Sequence, residues 1–264
     1  MQKKSNAYAA APQATVGGHC SPTQAAAIAS GKGGVGKSTI CALLGQEMAA
    51  RGRRVLLVDC DIGLRSLDLI LGLDEHVLFT WADVALGRCT LQQAVMVYHQ
   101  NMHLLCAPLR LEREIADDML RQIVSTAGEY DAILIDAPAG IGFGFRAAVK
   151  AARRCLIVST PDPVCVRSVS SAAREALRLG CQDIRLVINR FDRAHAMRGS
   201  GLMIDDLIDR AEAQLIGVIP QDTALFLQTA NGASLGGGIV AEAIARIAAR
   251  LDGENIPLYI PPSL

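Results

Sequence analysis

The stretch that decides the fold of this chain is Gly31-Lys32-Gly33-Gly34-Val35-Gly36-Lys37-Ser38. It matches the pattern G-x-x-x-x-G-K-[ST] of a phosphate-binding P-loop. The apolar run Ala25–Ala29 precedes it and a segment of helical periodicity, Lys37–Arg51, follows it, which is the context that the motif requires. The glycines let backbone N–H groups turn toward phosphate oxygens, and the helix adds the positive end of its dipole. The stretch therefore predicts a site for nucleotide phosphates.

Short apolar runs alternate with helical stretches along the rest of the chain. The expected strands are Ala25–Ala29, Arg54–Val58, His103–Ala107, Ala132–Ile135, Cys155–Ser159, Ile184–Asn189 and Leu215–Ile219. The expected helices after the first are Ser66–Gly72, Thr80–Leu86, Leu91–Val95, Glu112–Ala127, Gly144–Ala152, Val164–Leu179, Gly201–Ala213 and Ile239–Leu251. This alternation predicts an α/β fold: a single-domain P-loop NTPase with a mostly parallel central sheet covered by helices on both faces. The domain is expected at residues 25–252, between a flexible N-terminal tail (1–24) and a proline-containing C-terminal tail (253–264).

Composition restricts the function classes. The 264 residues carry 26 basic and 26 acidic side chains, so net charge gives no bulk argument for nucleic acid or membrane binding. No apolar run approaches the ~18 residues of a membrane span. The eight cysteines form no C-x-x-C pair and the five histidines show no ligand spacing, so a His or Cys metal site is not expected. Buried, reduced thiols and a cytoplasmic location are expected.

Polar residues follow the predicted strands at the edge where ligands bind in such sheets. The P-loop, Asp59-Cys60-Asp61, Asp136 and Asn189 each come directly after a strand. Lys37 is expected to reach the β- and γ-phosphates, and the Ser38 hydroxyl to bind Mg²⁺. Taken alone, Asp136 could be a helix cap or turn residue, and Asn189 a plain turn residue.

The additional lysine at position 32 makes the loop resemble the deviant Walker A ATPases, the MinD/ParA family, whose pattern is K-G-G-x-x-G-K-[ST]. The resemblance implies slow, Mg²⁺-dependent hydrolysis of ATP to ADP and phosphate. It also implies an ATP-bound homodimer in which Lys32 crosses the interface to the partner's nucleotide. A cation aimed at the developing charge of the phosphoryl group stabilises the transition state. The residues expected to hold the nucleotide are Gly33, Gly34, Val35, Gly36, Lys37, Ser38 and Thr39.

The same resemblance assigns roles to the remaining polar residues. Asp61 matches the acid that helps to activate the attacking water, so the expected catalytic residues are Lys32, Lys37 and Asp61. Asp136 matches the acid that holds Mg²⁺ through a water, so the expected metal site is Ser38, Asp61 and Asp136. Asn189 is expected at the adenine edge and Pro220 at the closing side of the adenine pocket, while Asp59 is expected to brace the loop.

Two segments resemble the MinD branch of this family. Asp59–Gly72 reads D-C-D-I-G-L-R-S-L-D-L-I-L-G, and Asp136–Ile141 reads D-A-P-A-G-I; Ser66 stands where an Asn is usual. The resemblance implies a dimerising switch ATPase in the spatial regulation of cell division, at septum placement, with a protein effector. The alternatives are a ParA-like chromosome or plasmid partitioning ATPase, a flagellar-number or pole-positioning ATPase, and a nucleotide-binding scaffold without turnover.

The C-terminal tail departs from the MinD branch. Members of that branch finish in a basic amphipathic helix that lies on the membrane, whereas the tail here contains Pro257, Pro261 and Pro262 and cannot form that helix. Membrane binding by this route is therefore not expected, and a peripheral position at the inner membrane face stays open. Non-specific DNA binding would need a basic surface built from arginines such as Arg190, Arg193, Arg198, Arg246 and Arg250, and is not favoured.

Overall fold

A central eight-stranded sheet organises the chain in the computed structural model, which describes residues 25–112, 115–192, 204–222 and 238–260. The strands are β1 (Ala25–Ser30), β2 (Val55–Asp59), β3 (Met96–His99), β4 (Met102–Leu105), β5 (Ala132–Ala139), β6 (Arg154–Ser159), β7 (Asp183–Phe191) and β8 (Gln214–Pro220). Their order is β3-β4-β2-β5-β1-β6-β7-β8, and every neighbouring pair is parallel except β3 with β4. The predicted mostly parallel sheet is confirmed.

Helices cover both faces of this sheet. Those of the described residues are α1 (Lys37–Ala50), α2 (Ser66–Leu71), α3 (Trp81–Ala85), α4 (Leu91–Ala94), α5 (Met119–Ser125), α6 (Phe143–Ala151), α7 (Pro163–Arg178), α8 (Ile204–Ala211) and α9 (Gly238–Leu251), with a 3₁₀ turn at Asp74–His76. One apolar core lies beneath α1, α2 and α9, and the other beneath α3 to α8. The inner strands β1, β2 and β4 are buried on both faces along their whole length, as their continuous apolar runs predict.

Two elements differ from the sequence-based prediction. Strand β3 was not predicted; it lies antiparallel at the sheet edge with alternately exposed residues, so it lacks a continuous apolar run. The helix expected at Glu112–Ala127 is shorter, because α5 begins only at Met119. The preceding Asp117 accepts hydrogen bonds from Arg146 and Lys150 of α6. These tertiary bonds hold a segment whose periodicity alone indicated helix.

The structure describes seven of the eight cysteines and part of the predicted C-terminal tail. The tail at 1–24, Arg193, Arg198, residues 201–203 and Pro261–Pro262 lie outside the described residues. The described part of the C-terminal tail, residues 253–260, contains no helix or strand. Of the seven cysteines in the described ranges, all are free thiols and all but Cys89 are buried. Within the same ranges, no helix is both long and apolar enough to cross a bilayer.

Candidate nucleotide-binding site

The P-loop connects the buried strand β1 to the first turn of α1 and is held by two close approaches. A Cβ added at Gly31 would lie 2.3 Å from the backbone oxygen of Ser168 on α7. Gly36 has φ of 94° and caps α1, and a Cβ there would lie 2.5 Å from Nδ2 of Asn189. Only glycine fits both positions, because one lacks space and the other lacks both space and an accessible backbone conformation. The loop therefore lies fixed between α7 and β7.

Asp136 occupies the centre of the site. On β5 it lies between Ile28 of β1 and Asp59 of β2 in the strand register. The side chain is buried, and neither carboxylate oxygen has a hydrogen-bond partner among the described residues. Burial, with the charges of Asp59 and Asp61, raises the pKa of Asp136 to about 8, although Ser38 and Lys37 favour its ionised form. A buried carboxylate without a partner is the expected state of a group that waits for a cation.

Lys37 brings the opposite charge to the same point. Its side chain is buried at the first position of α1. Burial lowers the pKa of Lys37, and the carboxylates of Asp136 and Asp61 act in the opposite direction. The ammonium thus depends on neighbouring anions to stay charged, and a phosphate group in the loop would supply more of them. Sequence reasoning placed these two residues together, and the structure confirms their proximity.

The two carboxylates of Asp59-Cys60-Asp61 have different surroundings. Asp59 is fully buried and accepts hydrogen bonds from the backbone N–H groups of Asp61 at 2.7 Å and Leu67 at 3.0 Å. Asp59 therefore braces the turn after β2, as predicted. Asp61 is only half-buried and faces Lys37; burial raises its pKa and Lys37 lowers it. Asp61 is thus free to act on a ligand, whereas Asp59 is committed to the backbone.

These residues fit Mg²⁺ held together with a nucleotide. Magnesium keeps several waters and takes one or two carboxylates, a hydroxyl and the phosphates, rather than a cage made only of protein ligands. The unpartnered carboxylate of Asp136 beside Ser38 supplies the oxygen donors that this arrangement needs.

Lys32 lies at the open side of the loop. Its side chain is 46% exposed, and its Nζ lies 3.6 Å from Oδ1 of Asp162. The Lys32 carbonyl accepts a hydrogen bond from the Ser30 hydroxyl at 2.6 Å, which fixes the backbone while the side chain stays outside. Lys32 therefore does not join Lys37 within one chain. Its exposed position is the one that a contact with another subunit requires.

Asn189 lies within β7, two residues before its end and not after the strand as expected, and Pro220 is the last residue of β8; both lie on the other side of the loop. Asn189 is nearly buried, and its Nδ2 donates to the Val35 carbonyl at 2.8 Å. Pro220 is buried and pairs with Phe191 in the strand register. The structure thus brings Asn189 against the P-loop itself, a contact that the sequence did not indicate. The predicted adenine contacts of both residues stay predictions.

Two site residues were missed by sequence reasoning. Asp162 caps α7 by accepting from the N–H groups of Val164 and Cys165, and it pairs with Lys32. Burial would raise the pKa of Asp162, but hydrogen bonds from Cys165 and Thr160 and the charge of Lys32 bring it below the usual range. An Asp followed by Pro163 at the first helical position was the available signal. Ser168, which closes on Gly31, had no signal because the contact is purely tertiary.

A P-loop at the carboxyl end of a parallel sheet, with a buried lysine and an unpartnered aspartate beside it, defines a nucleoside triphosphatase of the P-loop class. The family model described as the CobQ/CobB/MinD/ParA nucleotide binding domain matches residues 26–235. The chain belongs to this family and is one of its Mg²⁺-dependent ATPases.

Individual relatives point to one branch of the family. The septum site-determining protein MinD of Synechocystis is 35% identical over 243 residues, covering 87% of this chain and 90% of the relative. The structure of the MinC:MinD cell division protein complex of Aquifex aeolicus is 34% identical with a TM-score of 0.83, covering 90% of this chain and 98% of that one. MinD of Pyrococcus horikoshii complexed with Mg-ADP is 28% identical with a TM-score of 0.77, covering 87% and 96%.

Proposed function

We propose that this chain is a MinD-type switch ATPase that takes part in placing the division septum. ATP binding would join two copies face to face, and the dimer would bind a protein effector. Hydrolysis would then separate the two copies and release the effector. The observation that carries the proposal is the convergence of Lys37, Asp61 and the unpartnered Asp136 at one sheet edge, with Lys32 exposed beside them. A relative from Aquifex aeolicus forms a complex with MinC, which supports an effector protein for this chain.

The surface around the nucleotide edge supports dimerisation. Large apolar side chains stand exposed after β2, β4 and β5 and at the start of α7, namely Leu64 at 71%, Leu109 at 64%, Ile141 at 47% and Val164 at 64%. Exposed apolar side chains grouped around one site are typical of interaction surfaces. A second subunit would cover them and bring its own lysine to the first subunit's phosphate. Because that contact exists only with a γ-phosphate present, ATP would control the dimer.

The trans-lysine model is tested with Lys32→Ala. The variant is expected to bind Mg-ATP as the wild type does, but to lose phosphate release and the ATP-dependent dimer. Nucleotide affinity is measured by titration, turnover by a phosphate assay and mass by light scattering. Arg174→Ala, which removes an exposed cation of α7 that pairs with Glu212, is the matched control and should behave as wild type. Undiminished turnover in Lys32→Ala would refute the model.

Asp61→Ala separates binding from hydrolysis. Without the carboxylate that orients the water, the variant is expected to bind ATP and remain dimeric, with phosphate release reduced by about 10²-fold or more. Light scattering with ATP should give twice the monomer mass of 28.0 kDa. A variant that stays monomeric with ATP would contradict this role. A wild-type protein that binds ATP but releases no phosphate would instead favour the scaffold alternative.

Co-sedimentation with vesicles and with duplex DNA, each with and without ATP, separates the remaining alternatives. ATP-dependent, salt-sensitive retention on DNA would favour a partitioning function over septum placement. Retention by an effector only with ATP, and its loss in Lys32→Ala, is the result expected for the proposed switch.

A further inference from the structure

A cleft of about 880 Å³ lies at the sheet edge opposite the nucleotide site. It is formed where β6 and β7 begin, beside the segments that follow α6 and α7. Its basic lining residues are Arg121, Lys150, Arg153, Arg154 and Arg185, and its acidic lining residue is Asp183. Because the P-loop sits at the carboxyl ends of these parallel strands, the cleft is separate from the nucleotide site and independent of the proposed function.

The carboxylates in and beside the cleft are each shared by two cations. Asp183 accepts from Nε of Arg154 and from Nε of Arg185, each at 2.5 Å. A carboxylate shared in this way leaves one positive charge without a counterion. The lining thus contains a triad of net charge plus one, held rigidly at the start of two buried strands.

A second triad joins Asp117, which precedes α5, to two cations of α6. Asp117 accepts from Nε of Arg146 at 2.9 Å and from Nζ of Lys150 at 3.3 Å. Lys150 also lines the cleft, so this group adds a second uncompensated positive charge.

Arg121 and Arg153 add two more charges. Both side chains are exposed, and neither forms an ion pair with any of the residues that the structure describes. The surplus is therefore four positive charges in a chain whose formal net charge is zero. The carboxyl ends of α6 and α7 face the same region, and their partial charges of about half a unit each reduce the surplus to about three.

This surplus of positive charge favours an anionic ligand. Guanidinium groups bind phosphate oxygens in a two-pronged fashion, and four of the five lining cations are arginines. The volume falls within the range of roughly 300–1,000 Å³ that is typical of small-ligand sites. A single monoanion would leave most of the surplus charge in place. We propose that the cleft binds a ligand with two or more phosphate groups, either a soluble molecule or an anionic lipid headgroup.

The test uses inorganic pyrophosphate titrated calorimetrically into full-length protein. The P-loop is first saturated with Mg-ADP, with Mg²⁺ in excess in both solutions. The wild type should bind saturably, and Arg121→Ser/Arg153→Ser should bind at least about tenfold more weakly, because two charge-assisted contacts are lost. The control Arg88→Ser/Arg110→Ser removes the same charge from the surface around α3 and should stay within about twofold of the wild type. Lys37→Ala, impaired in the P-loop, should retain pyrophosphate binding.

Diphosphatidylglycerol vesicles, whose lipid headgroup carries two phosphates, are compared with phosphatidylcholine vesicles to distinguish the two sources of phosphate. Retention on the anionic vesicles that is lost in Arg121→Ser/Arg153→Ser assigns a lipid headgroup; pyrophosphate binding without retention assigns a soluble ligand. Either result supports the cleft as a phosphate site. No saturable binding to the wild type at about 1 mM pyrophosphate, or an equal loss in the control pair, would overturn the proposal. The proposal would also be overturned if Arg121→Ser/Arg153→Ser abolished binding to duplex DNA but left pyrophosphate binding intact.

Discussion

The most informative perturbation of the site is Asp136→Asn in the nucleotide-free protein. The wild-type carboxyl is buried without a hydrogen-bond partner among the described residues, and its pKa is raised from 3.8 to about 8. A group whose pKa is raised on folding opposes folding increasingly as pH climbs from the unfolded value to the folded one. Asparagine has nearly the same shape and carries no charge. The variant should therefore be more stable than the wild type while losing function.

The magnitude follows from the pKa. At pH 7 the unfolded chain ionises Asp136, whereas the folded protein keeps it largely protonated. Between 3.8 and pH 7 lie about three units at about 1.4 kcal/mol each, so this difference favours unfolding by up to about 4 kcal/mol. We expect a gain of about 2–4 kcal/mol, which corresponds to a rise in Tm of at least about 4 °C for a domain of this size. At pH 5 only about one unit remains, and the gain should shrink to under about 2 kcal/mol.

The assay is thermal unfolding of both proteins at pH 7 and pH 5, without nucleotide or Mg²⁺, followed by phosphate release with Mg-ATP at pH 7. Asp118→Asn, an exposed aspartate that makes no side-chain cap bond, is the control and should leave Tm unchanged. The reasoning is refuted if Asp136→Asn melts below the wild type at pH 7, or if its advantage grows as the pH falls.

Three further substitutions test the contacts that shape the loop. Gly31→Ala places a Cβ 2.3 Å from the Ser168 carbonyl and should cost about 1–3 kcal/mol in denaturant unfolding; wild-type stability would show that α7 yields there. Asn189→Ala removes the bond to the Val35 carbonyl and should cost about 1 kcal/mol and weaken ATP binding, measured by titration; unaltered affinity would separate it from the nucleotide. Asp162→Ala should cost about 0.5–2 kcal/mol as α7 loses its cap, whereas Asp162→Asn, which caps equally well, should stay near wild type; equal losses would assign the effect to the charge.

Local signals made much of the fold predictable. The inner parallel strands are continuous apolar runs, and the longer covering helices show their own period, so the order of these elements along the chain follows from the apolar pattern. Strand β3 was not predicted because alternate residues of this edge strand are exposed, so it contains no continuous apolar run. The start of α5 was predicted too early because Asp117 is hydrogen-bonded to α6, about thirty residues further along the chain.

The sequence by itself determined the P-loop, the lysines at positions 32 and 37, and the acids that follow the apolar runs Arg54–Val58 and Ala132–Ile135, since motif spacing and apolar runs are local properties. Tertiary structure alone decided what those groups experience. Burial between two neighbouring strands leaves the Asp136 carboxylate without a hydrogen-bond partner among the described residues. The turn after β2 takes up the Asp59 carboxylate in backbone hydrogen bonds, and α7 places Asp162 beside Lys32. Burial, partner distance and charge surplus depend on which distant segments meet, and no local pattern encodes that.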